Sequence, residues 1–157
     1  MAPVTVRRAT SADGEALIRL IRGLADYEHL TGPDAAAAER IIADLDRRYT
    51  AWLAETNGRA IGYAITFETY STFRGLPKLY LEDIFVEPGA RSTGAGFALF
   101  CIVVEEAVSR GCDALEWEAL DWNQLALDFY ARVGGEHSKE WLPYRLGREG
   151  MERLLES

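Results

Sequence analysis

Ile84-Phe85-Val86-Glu87-Pro88-Gly89-Ala90-Arg91-Ser92-Thr93-Gly94-Ala95-Gly96 is the stretch on which the fold turns. It reads as the end of an apolar strand, a short loop, and a long helix that begins within the glycines. Glycines let backbone N–H groups approach an anion closely. A helix N-terminus adds partial positive charge and unpaired donors, and Arg91 adds a full charge on a forked donor. Such a loop suits a pyrophosphate. Two common phosphate loops do not fit. A dinucleotide GxGxxG fingerprint needs glycine where Leu99 stands, and the GK[ST] of a Walker loop is absent. A plain helix start remains the structural alternative.

Working outward, residues 4–8 read as a first strand. Thr10 opens a helix with Asp13 as its capping-box partner, and Leu17, Leu20, Ile21 and Leu24 form its apolar face. Residues 34–45 form a second helix with Ile41, Ile42 and Leu45 inward. Strands are expected at 50–55 and 60–70, joined at Asn57-Gly58, a strong hairpin signal. A further strand covers 78–86, after a loop broken by Pro77. The helix over 94–110 is apolar on much of its circumference, so it should be largely buried. A strand at 114–119, a helix at 124–133, a last strand at 141–146 and a short helix from Glu149 complete the chain. The order implies an α/β domain with a mixed sheet, hairpins in the middle and crossovers later.

The 157 residues suit one domain, 1–157, with no repeat or linker to divide it. A formal charge of −8 argues against nucleic acid as a partner and is compatible with a cationic one. It is equally compatible with a surface that is merely soluble. Cys101 and Cys112 form no CxxC pair. With only two distant histidines, no metal-ligand spacing is present. No apolar run approaches the roughly 20 residues of a membrane span. The opening residues show no signal-peptide pattern. A cytoplasmic setting is expected.

Arg91-Ser92-Thr93-Gly94-Ala95-Gly96 resembles the acetyl-CoA loop of the GNAT superfamily of N-acetyltransferases, whose pattern is [RQ]xxGx[GA]. Leu79-Tyr80-Leu81-Glu82-Asp83-Ile84-Phe85-Val86 resembles the fourth strand of that superfamily's diamine acetyltransferase branch. Leu120-Asp121-Trp122-Asn123-Gln124 and Leu127-Asp128-Phe129-Tyr130-Ala131-Arg132-Val133-Gly134 resemble its second cofactor segment. Val6-Arg7-Arg8-Ala9-Thr10 and Leu24-Ala25-Asp26-Tyr27-Glu28 are also similar, in the same order. The resemblance implies a twisted mixed sheet flanked by helices and splayed between its fourth and fifth strands. It implies acetyl-CoA as co-substrate, a small amine as acceptor, direct transfer without a covalent enzyme intermediate, and a homodimer. Within the branch, Tyr70-Ser71-Thr72-Phe73-Arg74-Gly75 looks closer to the thialysine type. The polyamine type carries acidic residues where Thr72, Arg74 and Leu142 stand.

By the same resemblance, Glu82 is the general base, acting through water, and Tyr130 the general acid for the leaving thiolate. Backbone N–H groups of Ile84, Phe85 and Val86 bind the pantetheine arm and a developing oxyanion. Asn123 orients the cofactor arm. Glu28, Asp83 and Tyr144, with Tyr27 and Trp122, supply an acidic and aromatic surround for an ammonium. Each has a plainer alternative. Glu82 could be a solvated strand carboxylate, Tyr130 could be helix packing, and Asn123 could be a helix N-cap. Rival functions are acetylation of an aminoglycoside or a protein N-terminus, and a non-catalytic acetyl-CoA sensor. A simple interaction protein would leave the Arg91–Gly96 loop unexplained.

Overall fold

The computed structural model describes residues 2–157. Two compact units divide the chain, one ending at Glu118 and the other Ala119–Ser157. The first holds a five-stranded sheet in the order β1-β2-β3-β4-β5: β1 (Thr5–Arg8), β2 (Thr50–Thr56), β3 (Arg59–Ser71), β4 (Leu76–Val86) and β5 (Leu115–Trp117). The first three pairings are antiparallel and β4–β5 is parallel, so the sheet is mixed. The unit's helices are α1 (Gly14–Tyr27), α2 (Ala35–Asp44) and α3 (Ala95–Ser109).

Local chemistry explains the element ends. The Thr10 N–H donates to Asp13 Oδ2 at 2.8 Å, as the capping pattern requires, and a 3-10 turn leads into α1. Asp34 caps α2 by accepting from the Ala37 N–H at 2.8 Å. Asn57 and Gly58 both take positive φ (51° and 72°), the pairing a two-residue hairpin turn needs. Arg7 ties three segments together. Its guanidinium grips Asp13 at 2.8 and 2.9 Å and Glu55 at 2.8 and 3.2 Å. The hydrogen bonds from Arg7 hold the Asp13 carboxyl well below the usual range.

One sheet face carries Ala51, Leu53, Tyr63, Ile65 and Phe85, packed against Leu17 and Leu20 of α1. Each fully buried leucine contributes roughly 2 kcal/mol. The opposite face meets α3. A Cβ on Gly62 would lie 2.7 Å from the Phe85 carbonyl oxygen and 3.3 Å from Leu99 of α3, so only glycine fits between strand and helix.

Four expectations need correction. The strand awaited at 141–146 is absent. That segment has no ladder partner, and Pro143 lacks a donor. Trp141, Leu142, Tyr144 and Leu146 stand exposed. β4 starts at Leu76 rather than 78 and contains Pro77. The Asp113 N–H donates to the Pro77 carbonyl and the Leu79 N–H to Ala114 O, so the missing proline donor faces the end of β5, where no acceptor is needed. β5 is only three residues long, shorter than the strand expected over 114–119. α3 buries Leu99, Phe100, Val103 and Ala107, but Phe97, Val104 and Val108 are exposed, so one face rather than most of the helix is covered.

The short β5 has a positional consequence. It pairs with Leu79–Leu81 only, so β4 continues through 82–86 with no strand on that edge among the described residues. This is the splay between the fourth and fifth strands. The second unit contains α4 (Gln124–Arg132) and α5 (Arg148–Glu156).

Candidate active site

The site begins with an irregularity in pairing. Ile65 opposes Asp83, and the next residue, Thr66, opposes Leu81, leaving Glu82 as an extra residue in β4. Such a bulge re-aims side chains. In a regular strand, neighbours face opposite sides. Here consecutive Glu82 and Asp83 line the same cavity. It measures about 340 Å³ and is also lined by Ile21, Ile41, Arg48, Tyr49, Ile65 and Phe67.

The two carboxylates differ. Glu82 is exposed. Burial raises Asp83 to about 6; the Tyr63 hydroxyl, donating to Asp83 Oδ2 at 3.0 Å, pulls the other way, and the charges of Glu82 and Glu28 add to the rise. Tyr63 is itself fully buried. Glu28, at the C-cap of α1, is raised by burial. The charges of Glu82 and Glu28 both reach Asp83 and together favour a cation near it.

The loop after β4 lies in the same unit. A 3-10 turn, Pro88–Ala90, is followed by Ser92 and Gly94 with φ of 75° and 86°. Gly94 is the N-cap of α3, in the left-handed region that favours glycine. Thr93 Oγ1 donates to Ala90 O at 2.7 Å and accepts from the Ala95 N–H at 3.3 Å. The first helical bond runs from the Ala98 N–H to Gly94 O. The Gly96 and Phe97 amides are thus first-turn donors with no acceptor inside the helix. A Cβ on Gly94 would meet nothing within 4 Å, and one on Gly96 only Val86 at 3.8 Å. The loop therefore offers open space beside free donors, as a pyrophosphate requires.

Arg91 serves the loop differently from a free charge. Its Nε donates to Val86 O at 3.2 Å, and its guanidinium carbon lies 4.4 Å over the Tyr27 ring. Glu87, just before the loop, is gripped by Arg59 at 2.7 Å and by Arg19 of α1. These ties fasten the start of the loop to β3 and to α1.

In the second unit, Asn123 Oδ1 caps α4 by accepting from the Ala126 N–H at 3.3 Å. Tyr130 lies on α4 with its ring edge-on to Phe129 at 5.6 Å. Trp122 is half exposed and Tyr144 is 93% exposed. The structure thus brings Glu82 and Asp83 to one cavity and Tyr27 to Arg91, while Glu28 lies outside the cavity lining. Sequence reasoning missed Tyr63, Arg48 and the Thr93 brace. A hydroxyl bonded across strands and an arginine in a turn carry no local sequence signal. Among the described residues, no group of three His, Cys, Asp or Glu side chains is placed to hold a metal ion. No helix there is long and apolar enough to cross a membrane.

Comparison with known proteins gives a consistent result. The family model described as "Acetyltransferase (GNAT) family" matches residues 15–135. The thialysine N-epsilon-acetyltransferase of Bos taurus is 34% identical, over 98% of this chain and 98% of its own. An integron cassette protein from the mobile metagenome of V. cholerae has the same fold, with a TM-score of 0.82, 22% identity and full coverage of both chains. An aminoglycoside N-acetyltransferase solved in complex with CoA aligns with a TM-score of 0.72 at 23% identity, over 94% of this chain and 97% of that one.

Proposed function

As a member of the acetyltransferase (GNAT) family, the chain is an N-acetyltransferase, and we propose that it moves an acetyl group from acetyl-CoA to a small primary amine of lysine-like or diamine type by direct transfer. The observation that carries this is the β4 bulge, which turns Glu82 and Asp83 together into one cavity. The loop of Arg91, Ser92, Thr93, Gly94, Ala95 and Gly96 supports the cofactor assignment through its open first-turn donors.

A lysine-like amine has a pKa near ~10.4, so only about one molecule in 10³ is neutral at pH 7. Removing its proton is worth roughly 4–5 kcal/mol of nucleophilicity. In this proposal Glu82 takes that proton through a water, its exposure leaving room for one. Asp83 and Glu28 hold the ammonium, and Tyr144 is the aromatic substrate contact. Bound acetyl-CoA supplies an activated thioester. In this proposal backbone groups along Ile84, Phe85 and Val86 hold its arm and donate to the carbonyl oxygen as charge develops there; by strand alternation the N–H groups of Ile84 and Val86 face away from β3. Asn123 orients the arm, and Tyr130 gives a proton to the departing sulfur.

We further propose that residues 1–157 act as one cytoplasmic domain and form a homodimer. The exposed Trp141, Leu142, Tyr144 and Leu146, and Met151, Leu154 and Leu155 on α5, support the dimer. Apolar surface of that extent marks an interface. Sedimentation should show a dimer, and Leu154→Asp with Leu155→Asp should yield a monomer.

The test of the reaction is CoA release with thialysine, lysine, spermidine, diamines and an aminoglycoside. Turnover with a small amine is expected, with Glu82→Gln lowering kcat on the order of 10²-fold. Proven cofactor binding without turnover on any of these would redirect the reading to a protein acceptor or a sensor.

A further inference from the structure

The acidic cavity has a cationic wall. Arg48 and Tyr49, in the turn between α2 and β2, line the same space as Glu82 and Asp83. Arg48 is not fully neutralised there. Its Nε lies 3.3 Å from Asp44, but that carboxylate also faces Arg47 at 3.6 Å, so one anion serves two guanidinium groups. The next acidic residue, Asp46, is committed to Arg8 at 2.7 Å. Tyr49 brings no negative charge. Its hydroxyl donates to the Ile41 carbonyl, and burial pushes its pKa up to about 12. The Arg48 side chain is 75% exposed, with donors to spare beyond the one at Asp44.

One cavity therefore presents carboxylates on β4 and a guanidinium on the turn after α2. A simple diamine has a cation for the first wall and nothing for the second, where its other ammonium meets like charge. An ω-amino acid carries both complementary groups on one chain. The volume, about 340 Å³, is ample for a lysine-sized molecule. We infer that Arg48 is a specificity-determining residue that binds the α-carboxylate of an ω-amino acid acceptor while the ω-amine lies at Glu82 and Asp83. The inference rests on the proposed acetyl transfer to small amines and narrows its acceptor class.

Two pairs of acceptors differ only by that carboxylate: lysine against cadaverine, and ornithine against putrescine. With saturating acetyl-CoA, the wild-type enzyme should favour the amino acid of a pair at least tenfold in kcat/KM. Arg48→Met should cut that ratio at least tenfold through a higher KM for the amino acid, and Arg48→Lys should restore part of it. A structural role for Arg48 would lower both members alike and leave the ratio unchanged, which would overturn the inference, as would a wild-type preference for the diamines. Absence of acetylation of all four acceptors and of the other amines would instead overturn the reaction itself, and the inference with it. Either failure is recognisable from the wild-type data.

Discussion

Asp83 is held in the fold at an energetic cost. Its folded pKa of about 6 lies above the unfolded value of 3.8. The folded state thus binds the extra proton between those values, and stability falls as pH rises through about 6. Above that pH the ionised group opposes folding by roughly 1–3 kcal/mol. Asp83→Asn keeps an acceptor for the Tyr63 hydroxyl and removes the charge. It should raise the denaturation midpoint at pH 7.5, and the gain should vanish near pH 4, where wild type is also neutral. On the proposed reading of the acceptor site, it should at the same time weaken amine binding, since there the costly charge faces the ammonium. At this scale the sequence singled out Glu82 and Asp83, which the structure places at one cavity, and was silent about how they meet. Alternation along β4 would place Glu82 and Asp83 on opposite faces. The bulge that unites them depends on the register of β3, and the Tyr63–Asp83 bond spans 20 residues. Neither is written in a local pattern.

Elements were most legible where one short stretch dictates its own backbone. The Asn57-Gly58 turn, the Thr10–Asp13 cap and the strand–loop–helix passage into α3 all formed as their residues require. Gly94 shows how strict that passage is. With φ at 86° and open space about its Cβ position, alanine there is opposed by backbone conformation and not by crowding. Gly94→Ala should cost about 1 kcal/mol and raise the KM for acetyl-CoA severalfold, with the amine KM much less changed. Steady-state kinetics on both substrates would show this split. Illegible elements were those whose state depends on partners. Residues 141–146 have a strand's composition, but a strand exists only when another strand takes its hydrogen bonds. α3 is apolar on most sides, yet burial is set by what packs on it, and Phe97 and Val108 stay outside.

For the whole molecule, the mixed sheet and the family matched the expectation from sequence because several segments agreed in type and order. The charge of −8 is compatible with a cationic acceptor, and in the proposed reading the walls of the cavity decide which amine is kept. The bare edge of β4 over residues 82–86 has a consequence for handling as well as catalysis. Exposed sheet edges recruit strands from other molecules and seed aggregates. A co-substrate arm laid along that edge would act as a guard against misassembly, so the protein is most vulnerable when depleted of its nucleotide. Purified protein warmed slowly should turn turbid, and CoA at about 100 times its Kd should delay that clouding, consistent with about 2.7 kcal/mol of linkage. A cell that runs short of acetyl-CoA and CoA together would then lose this enzyme to precipitation as well as to idleness, tying its lifetime to the pool of the co-substrate it turns over.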